Sequence, residues 1–120
     1  MRSLVGLTIL IVEDEVFIAQ SLRSNLIDAG ASAVKTAGAL KDAIAQIATT
    51  QFDLVILDIR LPDGESYDLA STLVSRSIPV VVHSGHATSA HDERLTEVVF
   101  CAKPASPAEL LQVIEAALDR

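Results

Sequence analysis

The sequence predicts an α/β fold in which a five-stranded parallel sheet is covered by helices on both faces. Short, apolar, largely β-branched segments alternate with longer segments whose apolar residues recur at helical spacing. Strands that are apolar at nearly every position are typical of a parallel sheet buried between two helical layers. The chain has 120 residues, and half of them are hydrophobic, which suffices for one domain with one core. We therefore expect residues 1–120 to form a single doubly wound, three-layer sandwich.

Five segments are candidate strands, and the second is the weakest because it is the least apolar. They are Thr8–Val12, Ala33–Thr36, Leu54–Leu57, Val80–Val82 and Val98–Phe100.

Helical periodicity fills the intervals between these strands. The first helix extends from about Val16 to a stop at Gly30, the second covers Leu40–Ile47, and the third covers Tyr67–Val74. The interval from His86 to Glu97 is polar, so we expect its helix to be short, frayed or partly disordered.

The last helix has the clearest start signal in the chain. Ser106 is a good N-cap residue, Pro107 stands at the first helical position, and Glu109 completes a capping box. The apolar positions that follow recur at helical spacing up to Leu118.

Charge and composition exclude several classes of function. The formal net charge is −7 and the basic residues are scattered, which argues against direct nucleic-acid binding or attraction to an anionic membrane. A single cysteine, Cys101, allows no internal disulfide and fits a reducing compartment. The N-terminus carries no signal-peptide pattern, and no apolar segment is long enough to insert into a membrane. We therefore expect a cytoplasmic protein.

Polar residues follow four of the candidate strands at the points where those strands end. Glu13 and Asp14 follow the first strand, Asp58 the third, Ser84 the fourth and Lys103 the fifth. Ligands of open parallel sheets bind at the carboxyl ends of the strands, so these side chains are expected to share one pocket.

Three carboxylates in one pocket repel one another, and one lysine cannot neutralise them. A hard divalent cation would supply the missing charge, and carboxylate oxygens are the ligands that Mg²⁺ prefers. Zinc is less compatible with this set, which holds no Cys or His cluster. The acidic pocket therefore predicts Mg²⁺ as the cofactor.

Mg²⁺ and a lysine around a single aspartate are the components needed for phosphoryl transfer onto a carboxylate. Asp58 would be the nucleophile that forms an acyl phosphate, and Lys103 would help to neutralise the phosphoryl oxygens. The Ser84 hydroxyl would donate a hydrogen bond to one of those oxygens. No residue is an obvious water-activating base, so the acyl phosphate is expected to persist, as a switch requires.

In order and spacing, four motifs resemble the response-regulator receiver domains of two-component signalling. The motifs are ILIVEDE, LVILDIRLPDG, VVVHSGH and FCAKP, and the resemblance covers nearly the whole chain. Each motif alone is modest, whereas the four together are highly specific. The resemblance implies a flavodoxin-like sheet with strand order 2-1-3-4-5.

The resemblance also implies roles for individual residues. Asp58 would be the phosphoacceptor, charged by a phosphohistidine on a sensor histidine kinase or a histidine phosphotransfer protein. Asp14 and Asp58 would ligate Mg²⁺ through their side chains and Arg60 through its backbone carbonyl, while Glu13 would act through metal-bound water. Lys103 would contact the phosphoryl group. The family catalyses only its own phosphorylation and slow dephosphorylation, so we expect no other enzyme activity.

By the same resemblance, Ser84 and Phe100 form the switch. Ser84 would sense the phosphoryl group, and Phe100 would rotate inward when Ser84 moves, which changes the surface of the last helices for a downstream protein partner. The Lys103–Pro104 peptide is expected to be cis. Receivers often pair through these helices, so a weak homodimer is a further expectation.

The chain departs from the family pattern in three places. Ser66 stands where a glycine is common, which predicts a slightly different turn and little else. The stretch from Ser84 to Lys103 is shorter than usual, which agrees with the polar interval described above. We expect no output domain after Leu118, so the resemblance is to the stand-alone receivers.

Each candidate residue also has a purely structural interpretation. Glu13, Asp14 and Glu15 are acids that would favour a helix N-terminus, and Asp58 alone would fit an Asx-turn. Judged singly, Ser84 would be a loop serine, Lys103 a solvated lysine and Phe100 a core residue. The three histidines invite a metal-site interpretation, but their spacing fits no standard site: His83, His86 and His91.

Three other functions compete with the switch. A Mg²⁺-dependent phosphatase with an aspartate nucleophile would need a second Asp two residues later, where this chain has Arg60. A nucleotide or flavin binder would need a glycine-rich loop after the first strand, where EDEVF is acidic. A degenerate receiver that only binds partners is disfavoured by the intact set of acids, serine and lysine.

Overall fold

A computed structural model of the chain describes residues 4–85 and 97–119. Strands and helices alternate along these segments, as the periodicity predicts. In chain order they are β1 (Thr8–Val12), α1 (Val16–Asp28), β2 (Ala33–Ala37), α2 (Leu40–Thr49), β3 (Leu54–Leu57), β4 (Arg60–Leu61), β5 (Gly64–Glu65), α3 (Tyr67–Ser75), β6 (Val80–Ser84), β7 (Val99–Ala102) and α4 (Pro107–Leu118).

The main sheet has five parallel strands in the order β2-β1-β3-β6-β7. Counting only these five strands, the order is 2-1-3-4-5, which confirms the predicted topology. The register aligns Val12 with Leu57 and Leu57 with Val82, so β1, β3 and β6 reach the same edge of the sheet.

The core lies on both faces of this sheet, because alternate residues of each strand point to opposite sides. In β1, Leu10 and Val12 pack in the core formed with α2 and α3, whereas Ile9 and Ile11 pack in the core formed with α1 and α4. Leu54, Val55, Ile56 and Leu57 of β3 are likewise buried on both sides. The continuous apolarity of these strands is therefore explained by the three-layer architecture.

The helix ends agree with the start and stop signals in the sequence. At α4, Ser106 accepts a hydrogen bond from the Glu109 backbone N–H and the Glu109 side chain accepts one from the Ser106 N–H, both at 3.1 Å, which confirms the capping box. α1 ends at Asp28, and Gly30 follows with a positive φ of 106°, the backbone region that favours glycine.

The structure shifts the bounds of three strands and adds a hairpin. β2 ends at Ala37, one residue later than predicted. Ser84, predicted to follow its strand, is the last residue of β6, and the fifth strand starts at Val99 rather than Val98 and extends to Ala102. The extension arises because β6 and β7 pair as far as Ser84 with Ala102. The antiparallel pair β4–β5 was not predicted, since two-residue strands carry no periodicity.

The helix expected within His86 to Glu97 lies almost wholly outside the described residues. Within the described segments, no helix has the length and apolarity needed to cross a lipid bilayer.

Candidate functional site

Four strands of the main sheet deliver the predicted polar residues to one edge. Glu13 and Asp14 follow β1, Asp58 follows β3, Ser84 ends β6 and Lys103 follows β7. Glu13, Asp58 and Ser84 are buried, whereas Asp14 is exposed. The structure therefore brings these five residues to one place, as their positions after the strands predict.

Backbone hydrogen bonds hold these residues in line with the sheet. The Glu13 N–H donates to the Ala37 carbonyl at 2.9 Å, and the Asp58 N–H donates to the Val12 carbonyl at 2.9 Å. The Lys103 N–H donates to the Ser84 carbonyl at 3.1 Å. The ladder of the sheet therefore continues into the site and fixes the backbone from which these side chains project.

Three carboxylates form a compact acidic cluster at this edge. One oxygen from each of Glu13, Asp14 and Asp58 lies within 4.8 Å of the other two. Among residues 4–85 and 97–119, this is the one group of three acids, histidines or cysteines close enough to share a metal ion. The all-oxygen donor set suits a hard cation such as Mg²⁺ better than it suits zinc.

Lys103 supplies the positive charge of the site. Its Nζ donates hydrogen bonds to Glu13 Oε1 at 2.5 Å and to Asp58 Oδ2 at 3.0 Å. The ammonium therefore bridges two buried carboxylates that would otherwise repel each other without a partner.

Burial and pairing shift the pKa values of Glu13 and Lys103. Burial raises the pKa of Glu13 above its usual range, although the hydrogen bond and charge of Lys103 oppose the shift. Burial alone would lower the pKa of Lys103, but hydrogen bonds to Glu13 and Asp58 hold that pKa above its ordinary value. Lys103 is therefore firmly cationic, and Glu13 is a carboxylate that benefits from additional positive charge.

Arg60 and Phe100 lie on strands that adjoin the residues of the site in the chain. Arg60 opens the β4–β5 hairpin directly after Asp58 and Ile59, and its side chain is exposed. Phe100 lies opposite Val82 in the sheet and keeps 36% of its surface exposed. The Lys103–Pro104 peptide is cis, as expected.

Of the three histidines, the structure describes His83. His83 is buried, and burial, assisted by the charge of Lys103, lowers its pKa below the usual value. His86 and His91 lie outside the described residues.

Two contacts of the loop after Asp58 differ from what the sequence predicts. Ser66, whose substitution for glycine was expected to change little, is fully buried and donates its hydroxyl to the Asp58 backbone carbonyl at 2.7 Å. Asp63 accepts hydrogen bonds from the N–H groups of Leu40 and Lys41 at 2.7 and 2.9 Å. In the sequence, the serine at position 66, where the family commonly has glycine, is the one signal for the contact of Ser66. No sequence pattern indicates the contacts of Asp63.

Comparison with known proteins identifies the family. Residues 9–115 match the model of the response regulator receiver domain. The chain belongs to this family.

A relative and two solved structures illustrate the similarity. The transcriptional regulatory protein PdtaR of Mycobacterium tuberculosis is 32% identical over 116 residues, covering 93% of this chain and 57% of PdtaR. A CheY-like receiver domain protein from Methanospirillum hungatei superposes with a TM-score of 0.84 at 27% identity, covering 93% of each chain. The response regulator TrrA from Thermotoga maritima, solved in complex with Mg²⁺ and BeF, superposes with a TM-score of 0.83 at 23% identity, covering 92% of this chain and 98% of that one.

The receiver chain spans about half the length of the curated relatives that it matches, such as PdtaR. Receivers are the signalling switches of two-component regulatory systems. The acidic cluster of this receiver is compatible with Mg²⁺.

Proposed function

We propose that this receiver accepts a phosphoryl group on Asp58 from a phosphohistidine donor in a Mg²⁺-dependent reaction. The observation that carries the proposal is the bridge from the Lys103 ammonium to Asp58 and Glu13 beside the three-carboxylate cluster. This arrangement supplies an aspartate nucleophile, a cation for the phosphoryl oxygens and a set of oxygen ligands for a metal ion.

The transfer balances without any further reactant. A carboxylate oxygen of Asp58 attacks the phosphorus, and an O–P bond forms while the P–N bond of the donor breaks. The donor imidazole, protonated on its other ring nitrogen, leaves as the neutral ring. Asp58 thereby becomes an acyl phosphate.

The residues around Asp58 have distinct roles in this proposal. Lys103 neutralises charge on the transferred group, and the Ser84 hydroxyl donates to one of its oxygens. Asp14 and Asp58 would hold Mg²⁺ through their carboxylates and Arg60 through its backbone carbonyl, with Glu13 acting through water. The bound ion would neutralise charge on the phosphoryl oxygens.

The proposed output is a change at the surface of Phe100 and the last helices. Ser84 and Phe100 lie on the paired strands β6 and β7, so a shift of Ser84 toward the phosphoryl group reaches the neighbouring strand directly. Phe100 has exposed surface left to bury, and burial of aromatic surface is favourable. We propose that inward rotation of this ring changes the surface offered to a downstream protein.

Phosphorylation is tested by incubating the protein with acetyl phosphate and measuring the intact mass. We expect one phosphoryl adduct with Mg²⁺, little or none with EDTA, and none in Asp58→Asn. No adduct on the parent protein in Mg²⁺ would refute the proposed function, and rapid release of inorganic phosphate without an adduct would indicate a phosphatase instead.

The Phe100 switch is tested by fluorine NMR of protein labelled with fluorophenylalanine. The chain has three phenylalanines, so Phe17→Leu, Phe52→Leu and Phe100→Leu variants assign the three resonances. Addition of beryllofluoride and Mg²⁺, which mimic the phosphoryl group, should shift the Phe100 resonance and reduce its sensitivity to a soluble paramagnetic quencher. An unchanged Phe100 resonance, with Mg²⁺ and beryllofluoride bound, would contradict the switch.

A further inference from the structure

The loop after Asp58 is closed by a serine whose hydrogen bonds are unusual for its position. Ser66 is the N-cap residue of α3, and a serine there usually accepts a hydrogen bond from a backbone N–H of the first turn. Ser66 makes no such side-chain cap. Its hydroxyl instead donates to the Asp58 carbonyl at 2.7 Å, across eight residues of chain.

The backbone of Ser66 reinforces this contact. Its N–H donates to the Ile59 carbonyl at 2.9 Å, so Ser66 binds the carbonyls of two consecutive residues, Asp58 and Ile59. Its own carbonyl accepts from the Ala70 N–H at 2.9 Å and joins the first turn of α3. The start of α3 is therefore fastened to the acceptor residue by one side-chain and one main-chain hydrogen bond.

With this contact, both backbone polar groups of Asp58 and its side chain have fixed partners. The Asp58 N–H donates to Val12 of β1, and its Oδ2 accepts from Lys103. The remaining backbone group is the carbonyl, and Ser66 supplies its donor from a fully buried position. A glycine at position 66 would have no side-chain donor. The hydrogen bond to the Asp58 carbonyl therefore depends on Ser66, one of the positions at which this chain departs from the family pattern.

We infer that Ser66 is a positioning residue for phosphoryl acceptance, because its hydroxyl fixes the backbone orientation of Asp58. The inference rests on the proposed function and assigns Ser66 a place in it. Small displacements of a reacting group reduce the rate of an oriented reaction strongly. Loss of the hydroxyl should therefore slow phosphorylation of Asp58 even where the fold is intact.

The test is the rate constant of phosphorylation by acetyl phosphate at saturating Mg²⁺, measured well below each variant's melting temperature. Ser66→Ala removes the hydroxyl donor. Ser66→Gly also removes it but restores the residue common in the family, so it provides the test if Ser66→Ala does not fold. We expect both to react about ten-fold more slowly than the parent. Ser66→Thr keeps a hydroxyl and should restore the rate to within about two-fold.

Ser75→Ala is the matched control. Ser75 is on the same helix and donates its hydroxyl to the Thr72 carbonyl at the same 2.7 Å, but it is exposed and distant in the chain from Asp58. This variant should react at the parental rate.

The outcomes separate the two proposals. Phosphorylation of Ser66→Gly at the parental rate, alongside a phosphorylated parent, would overturn the role of Ser66 and leave the proposed function intact. A slow Ser66→Thr with a parental melting temperature would also overturn the role assigned to the hydroxyl. A parent that takes up no phosphoryl group would overturn both proposals.

Discussion

At the scale of single residues, the site is defined by charges that depend on one another. Glu13 and Asp58 are buried acids, and Lys103 is the cation that contacts both. Removing one charge from such a buried set leaves the remaining charges uncompensated. The resulting loss of folding free energy is larger than the stability that the intact set contributes. Lys103 therefore serves the stability of the fold as well as the proposed chemistry.

Lys103→Met keeps the aliphatic stem and removes the charge. Without the ammonium, the pKa of Glu13, which burial already raises, should rise further. We expect the free energy of unfolding to fall by about 1–3 kcal/mol at neutral pH in the absence of metal. Phosphorylation by acetyl phosphate should be strongly slowed, while Mg²⁺ still binds in calorimetry. A variant that reacts at the parental rate would contradict the role of Lys103.

The pH dependence of this variant follows from the sign of the Glu13 shift. A carboxyl whose folded pKa is raised binds more protons in the native than in the unfolded state, so stability falls as pH rises from the unfolded to the folded pKa. Because Lys103→Met raises the folded pKa of Glu13 further, the stability difference from the parent should be small in acid and grow with pH through that window. Urea unfolding at several pH values measures the difference in free energy of unfolding between the variant and the parent. A difference that does not change with pH would contradict the interaction between Lys103 and Glu13.

At the scale of elements, the loop after Asp58 is tied to two helices. Ser66 joins it to the start of α3, and Asp63 caps the first turn of α2, whose own N-cap residue, Ala39, has no side-chain acceptor. Gly64 completes the turn with a φ of +146°, where a side chain would be strained. The acceptor loop is therefore held by helices on one face of the sheet.

Asp63→Asn tests the cap that this loop provides to α2. The two backbone hydrogen bonds, from Lys41 first and then Leu40, lower the pKa of Asp63, so its ionised form is favoured in the folded state. A depressed carboxyl pKa contributes stability above the unfolded pKa, and this contribution is lost as pH falls through the folded value. The variant should melt at a lower temperature than the parent at neutral pH, and the difference should shrink in acid below the ordinary Asp63 value of 3.8.

Asp28→Asn makes the same change in net charge and is the control. Asp28 is the last residue of α1, and its side chain is exposed. It should not lower the melting temperature. Equal melting temperatures for Asp63→Asn and the parent at neutral pH would contradict the cap.

At the scale of the whole molecule, the periodicity of the sequence predicts the three layers, and the rule that ligands bind where parallel strands end places Glu13, Asp58 and Lys103 at one edge of the sheet. The strand order does not follow from periodicity and was implied by the family resemblance. The hydrogen bonds of Ser66 and Asp63 could not be placed, because they depend on how one irregular loop folds back. Asp63 reaches across 23 residues to Leu40, and no local pattern encodes that approach.

The position of the phosphoryl group is the most direct test of Asp58 as the phosphoacceptor. After reaction with acetyl phosphate and Mg²⁺, borohydride reduces an aspartyl phosphate to homoserine, and tandem mass spectrometry of the peptides locates it. Among the three clustered carboxylates, we expect homoserine at position 58 alone. Modification of Glu13 or Asp14 in place of Asp58, or a phosphorylated protein in which Asp58 is unmodified, would refute the proposed role of Asp58.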